Sequence, residues 1–391
     1  MFPRVNNLLY LLSTVVLMLF SWGCHSDNKG RQQQVSNHDY NQIVLHHAKG
    51  FTIERADNHT RVTILNPWSR SGEPYAIYYL YKTMPETAHA DGITMQIPVR
   101  SLVVNSFSYF EFLSLLGETD AIKGVTDGFR IYNHRIRDDM EKGAIRDMGD
   151  PFQPSLEKVM TVKPDAVISS AYAQVDSYSE RLTRAGIPVI YSLEWMENEP
   201  LARAEWIRMI AAFVGKDQLG DSLFTDIAQR YHSARSIVSA HPQPASVLAG
   251  DNFQGTWYVP GGKSFNAALF RDAALAYSYS DNRESGSIGL DIESVLTQFS
   301  DADFWFGCQA DSYAELAEKD AKYLLLHAVK KRQVFNNHNR TTPAGGNDYF
   351  ESAVARPDLV LSDLIRAVYP DLLPDYRFTY IKPLEEEPFR E

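Results

Sequence analysis

One long amphipathic stretch lies near the middle of this chain, between two segments in which strand-like and helix-like runs alternate. From Leu219 to Ile237 apolar residues recur every three or four positions, which places one apolar stripe along a helix. On either side, runs such as DAVISSA and DADFWFG predict buried strands separated by short helices. Strands that alternate with helices form mostly parallel sheets. The pattern predicts an α/β protein of two Rossmann-like lobes with parallel sheets, joined by a single long backbone helix.

The segment ahead of the first alternation has a different composition. The runs FTIERADNHTRVTILN, AIYYLYKT and ITMQIPVRSLVVNS are rich in β-branched and aromatic residues. We expect a small β addition at the N-terminal side of the first lobe.

The N-terminal residues indicate export. Leu8 to Phe20 is an unbroken run of low polarity with the length of a signal-peptide core, too short for a membrane-spanning helix. It ends in SWGC, which resembles the lipobox of bacterial lipoproteins and predicts lipidation of Cys24. This predicts a chain lipid-anchored on the periplasmic side of a bacterial membrane. An uncleaved anchor, or a buried helix with an incidental cysteine, is the alternative.

These patterns divide the chain into five parts. The polar residues after Cys24 predict a flexible tether. The expected parts are a signal peptide (1–23), a lipidated tether (24–41), a first α/β lobe (42–213), the backbone helix (214–241) and a second α/β lobe (242–391).

Composition limits the possible functions. The formal charge is −11, and no cluster of Lys and Arg is interleaved with aromatic residues, which argues against a nucleic-acid partner. With 44% apolar residues the chain can bury the cores of two lobes. Of its 2 cysteines, Cys24 is assigned to lipid, so Cys308 is expected to be a small buried side chain without a disulfide.

The sequence offers no constellation for catalysis, and we expect neither an enzyme nor a resident cofactor or metal. GTWYVPGGKS ends like a phosphate-binding loop, but Trp257 stands where that loop requires its first glycine. The chain has no Gly-x-Ser-x-Gly elbow. Zinc uptake through His134 and His338 is an alternative with little support, because such a site also needs a carboxylate.

Several phrases, in their order along the chain, carry a resemblance to a known family. They include RSLVVNSFSYFEFLSLLG, SLEKVMTVKPDAVISS, TWYVPGGKSF and GGNDYFESAVARPDLVLSDLIRAVYPDLLPD. The chain resembles the helix-hinged (class III) substrate-binding proteins of ABC importers that carry iron chelates and cobalamin. RAEWIR and TWYVPGG are similar to a branch common in Bacteroidetes-type lipoproteins.

The resemblance implies a substrate-binding lipoprotein that captures an iron complex, a ferric siderophore or heme, between its lobes and delivers it to a permease. The implied partners are ABC permease and ATPase subunits and a small-molecule metal chelate. Cobalamin is the alternative ligand. An exported hydrolase or a structural surface lipoprotein is the alternative of a different class.

Ligands of such folds lie against loops at the carboxyl ends of the strands. Aromatic residues dominate these loops and would stack on a large planar ligand, while arginines would meet its carboxylates or chelate oxygens, which favours a ferric chelate. The predicted ligand-binding residues are Phe129, Arg130, Tyr132, Tyr172, Trp195, Phe253, Trp257, Tyr258 and Arg340.

The resemblance also implies one carboxylate on each lobe that docks onto arginines of the permease. The matching positions are Asp176 and Asp272, with Glu180 as a neighbouring candidate on the first lobe. Asp176 could equally be a carboxylate that stabilises the start of a helix.

Overall fold

Two parallel sheets, one in each lobe, form the framework of the protein, and one helix connects them. The computed structural model describes residues 40–239 and 244–386. The predicted signal peptide, Cys24 and nearly all of the tether lie outside the described residues. Within these ranges, no helix has both the length and the apolar character needed to cross a membrane.

The strands are β1 (Asn41–Gln42), β2 (Phe51–Arg55), β3 (His59–Ile64), β4 (Ala76–Tyr81), β5 (Ile93–Gln96), β6 (Leu102–Val104), β7 (Ile122–Val125), β8 (Arg146–Asp147), β9 (Ala166–Ser170), β10 (Val189–Ser192), β11 (Ala245–Ala249), β12 (Asp251–Phe253), β13 (Thr256–Pro260), β14 (Leu275–Tyr277), β15 (Ser287–Leu290), β16 (Phe304–Cys308), β17 (Val334–Asn336) and β18 (Lys382–Pro383).

The helices are α1 (Ser108–Leu115), α2 (His134–Glu141), α3 (Leu156–Val162), α4 (Ser177–Arg184), α5 (Pro200–Ala204), α6 (Trp206–Phe213), α7 (Asp217–Val238), α8 (Phe265–Asp272), α9 (Ile292–Phe299), α10 (Tyr313–Lys319), α11 (His327–Lys330), α12 (Asp348–Glu351) and α13 (Pro357–Val368).

The first lobe is built on a parallel sheet with the order β10-β9-β6-β7-β8. Its central strand β6 is buried along its whole length, as expected for a strand covered on both faces. The second lobe has the order β14-β11-β16-β17-β18, in which only β18 is antiparallel. A small antiparallel sheet, β12-β13-β15, lies beside it. The predicted α/β class with two parallel sheets is confirmed.

The helix α7 connects the lobes, as the amphipathic stretch predicted. It packs against α6 on the first-lobe side and against α13 on the second-lobe side. Its buried stripe includes Phe224, Ile227 and Tyr231. Gly220 belongs to this stripe, since a Cβ there would lie 2.4 Å from Cβ of Ala211 in α6. The absence of a side chain therefore lets the two helices approach closely.

The predicted β addition is a sheet with the order β1-β2-β3-β4-β5. It is joined to the first lobe by the buried Tyr78, whose hydroxyl donates to Val189 O at 2.7 Å and accepts from the Tyr191 N–H at 2.9 Å. Asn41, expected as the last residue of the tether, instead pairs with Arg55 at the edge of this sheet.

Two buried carboxylates hold the residues between β1 and β2 against the first lobe. Glu205 accepts backbone N–H bonds from residues 46–48, at 3.0, 2.8 and 2.8 Å, and Glu197 accepts from Lys49 and Gly50. Buried carboxylates with several N–H donors are well satisfied. This sheet is therefore a fixed part of the first lobe.

Candidate ligand-binding cleft

A cleft lies between the two lobes, where loops follow the carboxyl ends of the parallel strands. It holds two adjoining cavities of about 500 Å³ each. Ligands of open α/β sheets bind at this edge, and the volume suits a small molecule. The residues that line both cavities are Trp195, Phe265, Asn266, Leu269, Tyr349, Phe350 and Val360.

Two of the predicted aromatic residues line the cleft from opposite lobes. Trp195 stands in the helical turn Glu194–Met196 after β10 and is 39% exposed. Tyr258 projects from β13 and is 44% exposed. Their rings are open to solvent, so both can stack on a planar ligand.

The prediction that Trp257 also lines the cleft is wrong. Successive side chains of a strand point to opposite faces, and in β13 the exposed Tyr258 lies between the buried Trp257 and Val259. The indole Nε1 of Trp257 donates to Ala249 O at 3.0 Å, and its ring contacts Trp305. Trp257 is a core residue of the second lobe.

Three other predicted aromatic residues lie outside the cavity lining. Tyr172 is 49% exposed and its ring centroid lies 5.8 Å from that of Trp195, which puts it at the margin of the cleft. Phe129 and Phe253 are exposed, and neither lines either cavity.

The predicted arginines serve protein contacts instead of the cleft lining. Arg340 of the second lobe donates from Nε to the hydroxyl of Tyr132 in the first lobe at 3.3 Å, and its Nη1 lies 3.0 Å from Oδ2 of Asp348. Arg130 is paired with Asp127 at 3.1 Å. Neither guanidinium group lines the two cavities, so their role in binding the ligand's anionic groups stays a prediction, and Tyr132 lies at a lobe contact.

Glu351 of α12 completes this contact between the lobes. Its carboxylate accepts the backbone N–H groups of Tyr132 and, at 2.9 Å, of Asn133. Burial raises the pKa of Glu351 to about 7, and the nearby Asp348 acts in the same direction. The lobes therefore touch along this flank through a carboxylate that titrates near neutral pH.

The sequence interpretation missed Phe350, the most exposed aromatic residue of the cleft lining. Phe350 is 57% exposed in α12, beside the half-buried ring of Tyr349. The side chain of Asn347 caps this helix by accepting the Tyr349 N–H at 3.0 Å. Asn before the run DYFE was a usable capping signal, but a helix of one turn shows no periodicity in the sequence.

The cleft lining also contains a charged pair that the sequence did not reveal. Glu194 is buried and accepts hydrogen bonds from Ser108 Oγ at 2.8 Å and from the Tyr109 hydroxyl at 2.9 Å. Arg203 lies with Cζ 4.1 Å from the centroid of the Phe265 ring. Its Nε is buried and has no hydrogen-bond partner in the described chain. Burial lowers the pKa of Arg203, while the Glu194 carboxylate raises it.

Comparison with known proteins agrees with this geometry. A family model described as periplasmic binding protein matches residues 102–341. The chain belongs to this family. Its members bind small-molecule ligands and work with the permeases and ATPases of ABC transporters. The predicted family is thereby confirmed, while the Bacteroidetes-type branch stays a prediction.

This periplasmic binding protein is similar to proteins of two named organisms. It is 22% identical over 285 residues to an uncharacterized lipoprotein of Methanocaldococcus jannaschii, covering 71% of this chain and 67% of the relative. It is 24% identical over 212 residues to the iron-uptake system-binding protein of Bacillus subtilis, covering 51% of this chain and 62% of the relative.

Solved structures show the same fold. The periplasmic heme-binding protein RhuT of Roseiflexus sp. RS-1 matches with a TM-score of 0.56 and 17% identity, over 70% of this chain and 99% of RhuT. The periplasmic vitamin B12 binding protein BtuF of Vibrio cholerae matches with a TM-score of 0.50 and 16% identity, over 69% of this chain and 97% of BtuF.

Of the two carboxylates expected to meet the permease, the structure contradicts one. Asp272 of this binding protein is buried, where it accepts from the Tyr231 hydroxyl at 2.8 Å and pairs with Arg271 at 3.1 Å. A carboxylate held in this way cannot reach a partner protein, because docking would break a buried network. Asp176 caps α4 by accepting the N–H groups of Tyr178 and Ser179.

Neither metal-binding nor cysteine chemistry has a visible basis in the part of the chain that the structure describes. That part contains no group of three His, Cys, Asp or Glu side chains placed to hold a metal ion. His338, one of the two histidines of the zinc alternative, contacts Asp311 at 2.9 Å. Cys308 is buried in β16, and burial raises the pKa of its thiol to about 12, so it is a poor nucleophile.

Proposed function

We propose that this protein is the substrate-binding lipoprotein of an ABC importer and that it captures an iron complex, a ferric siderophore or heme, in the interlobe cleft. The observation that carries the proposal is the aromatic lining of that cleft. Trp195 from the first lobe and Tyr258 and Phe350 from the second are exposed around cavities of about 500 Å³ each. Exposed aromatic rings in a concave site suit a large planar ligand.

One guanidinium group in the cleft lining supports an anionic ligand. Among the residues that line the two cavities, Arg203 is the only one with a permanently positive side chain. A guanidinium group in a partly dry site binds carboxylate or chelate oxygens strongly. Siderophore chelates and heme both carry such oxygens.

The relatives support iron over other metals, since one is named for iron uptake and one solved structure binds heme. Cobalamin remains the second candidate because a vitamin B12 binding protein shares the fold and its ring system could also stack on Trp195 and Tyr258. The two candidates make different spectroscopic predictions.

We infer that the protein binds its ligand without converting it. The one cysteine of the described chain is buried with a raised pKa, and Glu194 is held by two hydroxyl donors. This argues against an exported hydrolase built on the same lobes.

Lipidation at Cys24 would anchor the protein on the periplasmic side of a bacterial membrane. Fractionation of the wild-type protein against Cys24→Ser tests the anchor, since the variant should be released as a soluble protein.

The experiment that tests the ligand uses protein lacking residues 1–24. Its absorbance and tryptophan fluorescence are followed during titration with ferric siderophores, hemin and cyanocobalamin. We expect an iron complex to bind with a Kd below about 1 µM and to be recovered unchanged by mass spectrometry. Phe350→Ala should weaken binding, whereas Leu325→Ala, exposed in the second lobe outside the cavity lining, should not.

The other possible results of the titration would change or exclude the proposed ligand. Binding of cyanocobalamin alone would replace the iron complex as the ligand. Recovery of an altered ligand would contradict a purely binding role, and no response to any of the three compounds would exclude this ligand class.

A further inference from the structure

The N-terminal sheet lies outside the part of the chain that defines the family. The family match begins at residue 102, whereas β1 to β5 span residues 41–96. The sheet is nevertheless fixed to the first lobe through Tyr78, Glu197 and Glu205. A rigid addition of this kind can place side chains at a defined distance from the cleft.

The loop between β3 and β4 is ordered by short-range hydrogen bonds that position Trp68. Oδ1 of Asn66 accepts the Trp68 N–H at 3.0 Å, and Asn66 O accepts the Ser69 N–H at 3.2 Å. Asn side chains commonly stabilise turns in this way. The Leu65 N–H donates to Gly50 O at 2.8 Å, which ties the start of the loop to the segment held by Glu197.

Trp68 adjoins Trp195, an aromatic residue of the cleft lining. Its ring centroid lies 6.3 Å from that of Trp195 and 6.1 Å from that of Tyr75. Trp195 in turn lies 5.8 Å from Tyr172. Trp195 therefore neighbours both Trp68 and Tyr172, and we name these three side chains the aromatic ledge.

The ledge adjoins the cavities and is partly open to solvent, with Trp68 half-buried against the core. Trp195 lines both cavities, and Trp195 and Tyr172 are both among the exposed large apolar side chains. Apolar side chains that cluster into a patch at the surface mark interaction sites, whereas single exposed apolar side chains are ordinary. Its continuity with the cleft indicates that the ligand is what covers it.

We propose that the N-terminal sheet supplies part of the ligand site, with Trp68 as a binding residue of the aromatic ledge. The ledge takes a flat, conjugated group of the ligand that extends beyond the cavities, such as the edge of a tetrapyrrole or a catechol ring. This inference rests on the proposed function, because it concerns the ligand of the same cleft. It adds a binding residue from outside the family match and restricts the ligand to compounds with a conjugated ring at their periphery.

The test compares wild-type protein with Trp68→Ala, Trp68→Phe and Met84→Ala, titrated with whichever of hemin, a ferric catecholate or cyanocobalamin binds the wild type. Loss of the stacked ring should weaken binding by roughly five- to thirty-fold in Trp68→Ala. Trp68→Phe should retain most of the affinity and show a smaller ligand-induced loss of fluorescence, because one quenched indole is gone. The matched control is Met84→Ala, because Met84 is exposed in the loop that follows β4 of the same sheet. This variant should bind the ligand like the wild type.

The outcomes separate this inference from the proposed function. Wild-type binding with unchanged affinity in Trp68→Ala and unchanged quenching in Trp68→Phe would overturn the role of Trp68 and leave the proposed function standing. Normal ligand binding by Trp68→Ala together with impaired uptake in cells would indicate that the ledge contacts the permease. This result would also overturn the role of Trp68 in ligand binding. Failure of the wild type to bind any of the compounds would overturn both. If Trp68→Ala does not fold, the quenching of Trp68→Phe decides.

Discussion

The charged residues of the cleft lining are Arg203, Glu194 and Glu197, of which Glu197 accepts backbone N–H groups of the N-terminal segment. Glu194 has two hydroxyl donors, whereas Arg203 has a buried Nε without a partner in the described chain and a guanidinium group over the ring of Phe265. A buried donor without an acceptor costs free energy. A ligand that brings an anionic oxygen would supply the missing acceptor and remove that cost. This gain in hydrogen bonding would add to the affinity of the site for the ligand.

We therefore expect Arg203→Met to weaken binding of an anionic ligand by about 1.5 to 3 kcal/mol. Arg203→Lys should lie between the wild type and Arg203→Met, because it keeps the charge but loses the planar group that stacks on Phe265. Isothermal titration calorimetry measures the change, and thermal unfolding of the same variants controls for the loss of a positive charge near Glu194. Equal affinity in all three proteins would remove Arg203 from the site.

Among the secondary-structure elements, the short helix α12 has two roles, although it is only about one turn long. It presents Phe350 to the cleft, and through Glu351 it accepts backbone N–H groups from the first lobe. The groups that act on Glu351 include the Asp348 carboxylate, which raises its pKa, and the Arg137 guanidinium, which lowers it. The contact between the lobes is therefore sensitive to pH.

The pKa of Glu351 is raised from 4.5 to about 7 in the folded protein. The folded protein thus binds more protons than the unfolded chain between these pH values, so the stability associated with this group is present below pH 4.5 and is lost as the pH rises through 7. In Glu351→Gln the free energy of unfolding should fall less over this interval, by on the order of 1 to 3 kcal/mol.

Thermal unfolding between pH 4.5 and 7.5 measures this difference. Glu157→Gln, an exposed position in α3, is the control and should follow the wild type. A residual slope should remain in Glu351→Gln because burial also raises the pKa of Glu111 to about 7. Parallel curves for Glu351→Gln and the wild type would contradict the assignment.

The elements with strong periodicity could be predicted from the sequence, and those set by tertiary contacts could not. The stripe of α7 and the apolar strands predicted the two lobes correctly.

Trp257 and Tyr258 were both expected in the cleft because the sequence did not show whether they lie in a loop or in a strand. In the strand β13, their side chains point to opposite faces. Asp272 was expected on the surface, but nothing local in the sequence shows that Tyr231 of α7 covers it. Trp68 was missed since the docking of the N-terminal sheet depends on partners more than 100 residues away in sequence, as the contact of Tyr78 with Val189 shows.

At the scale of the whole molecule, delivery of the bound ligand to a permease requires an exposed surface on the first lobe that the permease can contact. Glu180 is the better candidate there, because it is exposed in the first turn of α4, whereas Asp176 is occupied as the cap of that helix. Its partner Arg184, at 2.8 Å, lies one turn along the same helix and is itself exposed, so the pair can open at little cost.

We expect Glu180→Arg to leave ligand affinity unchanged and to reduce uptake at least about ten-fold, because like charges placed against each other at an interface cost several kcal/mol. Glu141→Arg, a charge reversal at the other end of the lobe at the last residue of α2, should take up ligand like the wild type. Cells expressing each variant, assayed with labelled ligand, give the comparison. Normal uptake by Glu180→Arg would move the docking surface elsewhere.

The hydrogen bonds that Glu197 and Glu205 make to residues 46–50 have a mechanical consequence. A pull exerted from the N-terminal side of Tyr40 is transmitted across these bonds into the first lobe before it reaches α7. Under the proposed lipidation of Cys24, the load of the anchor would therefore fall on the first lobe.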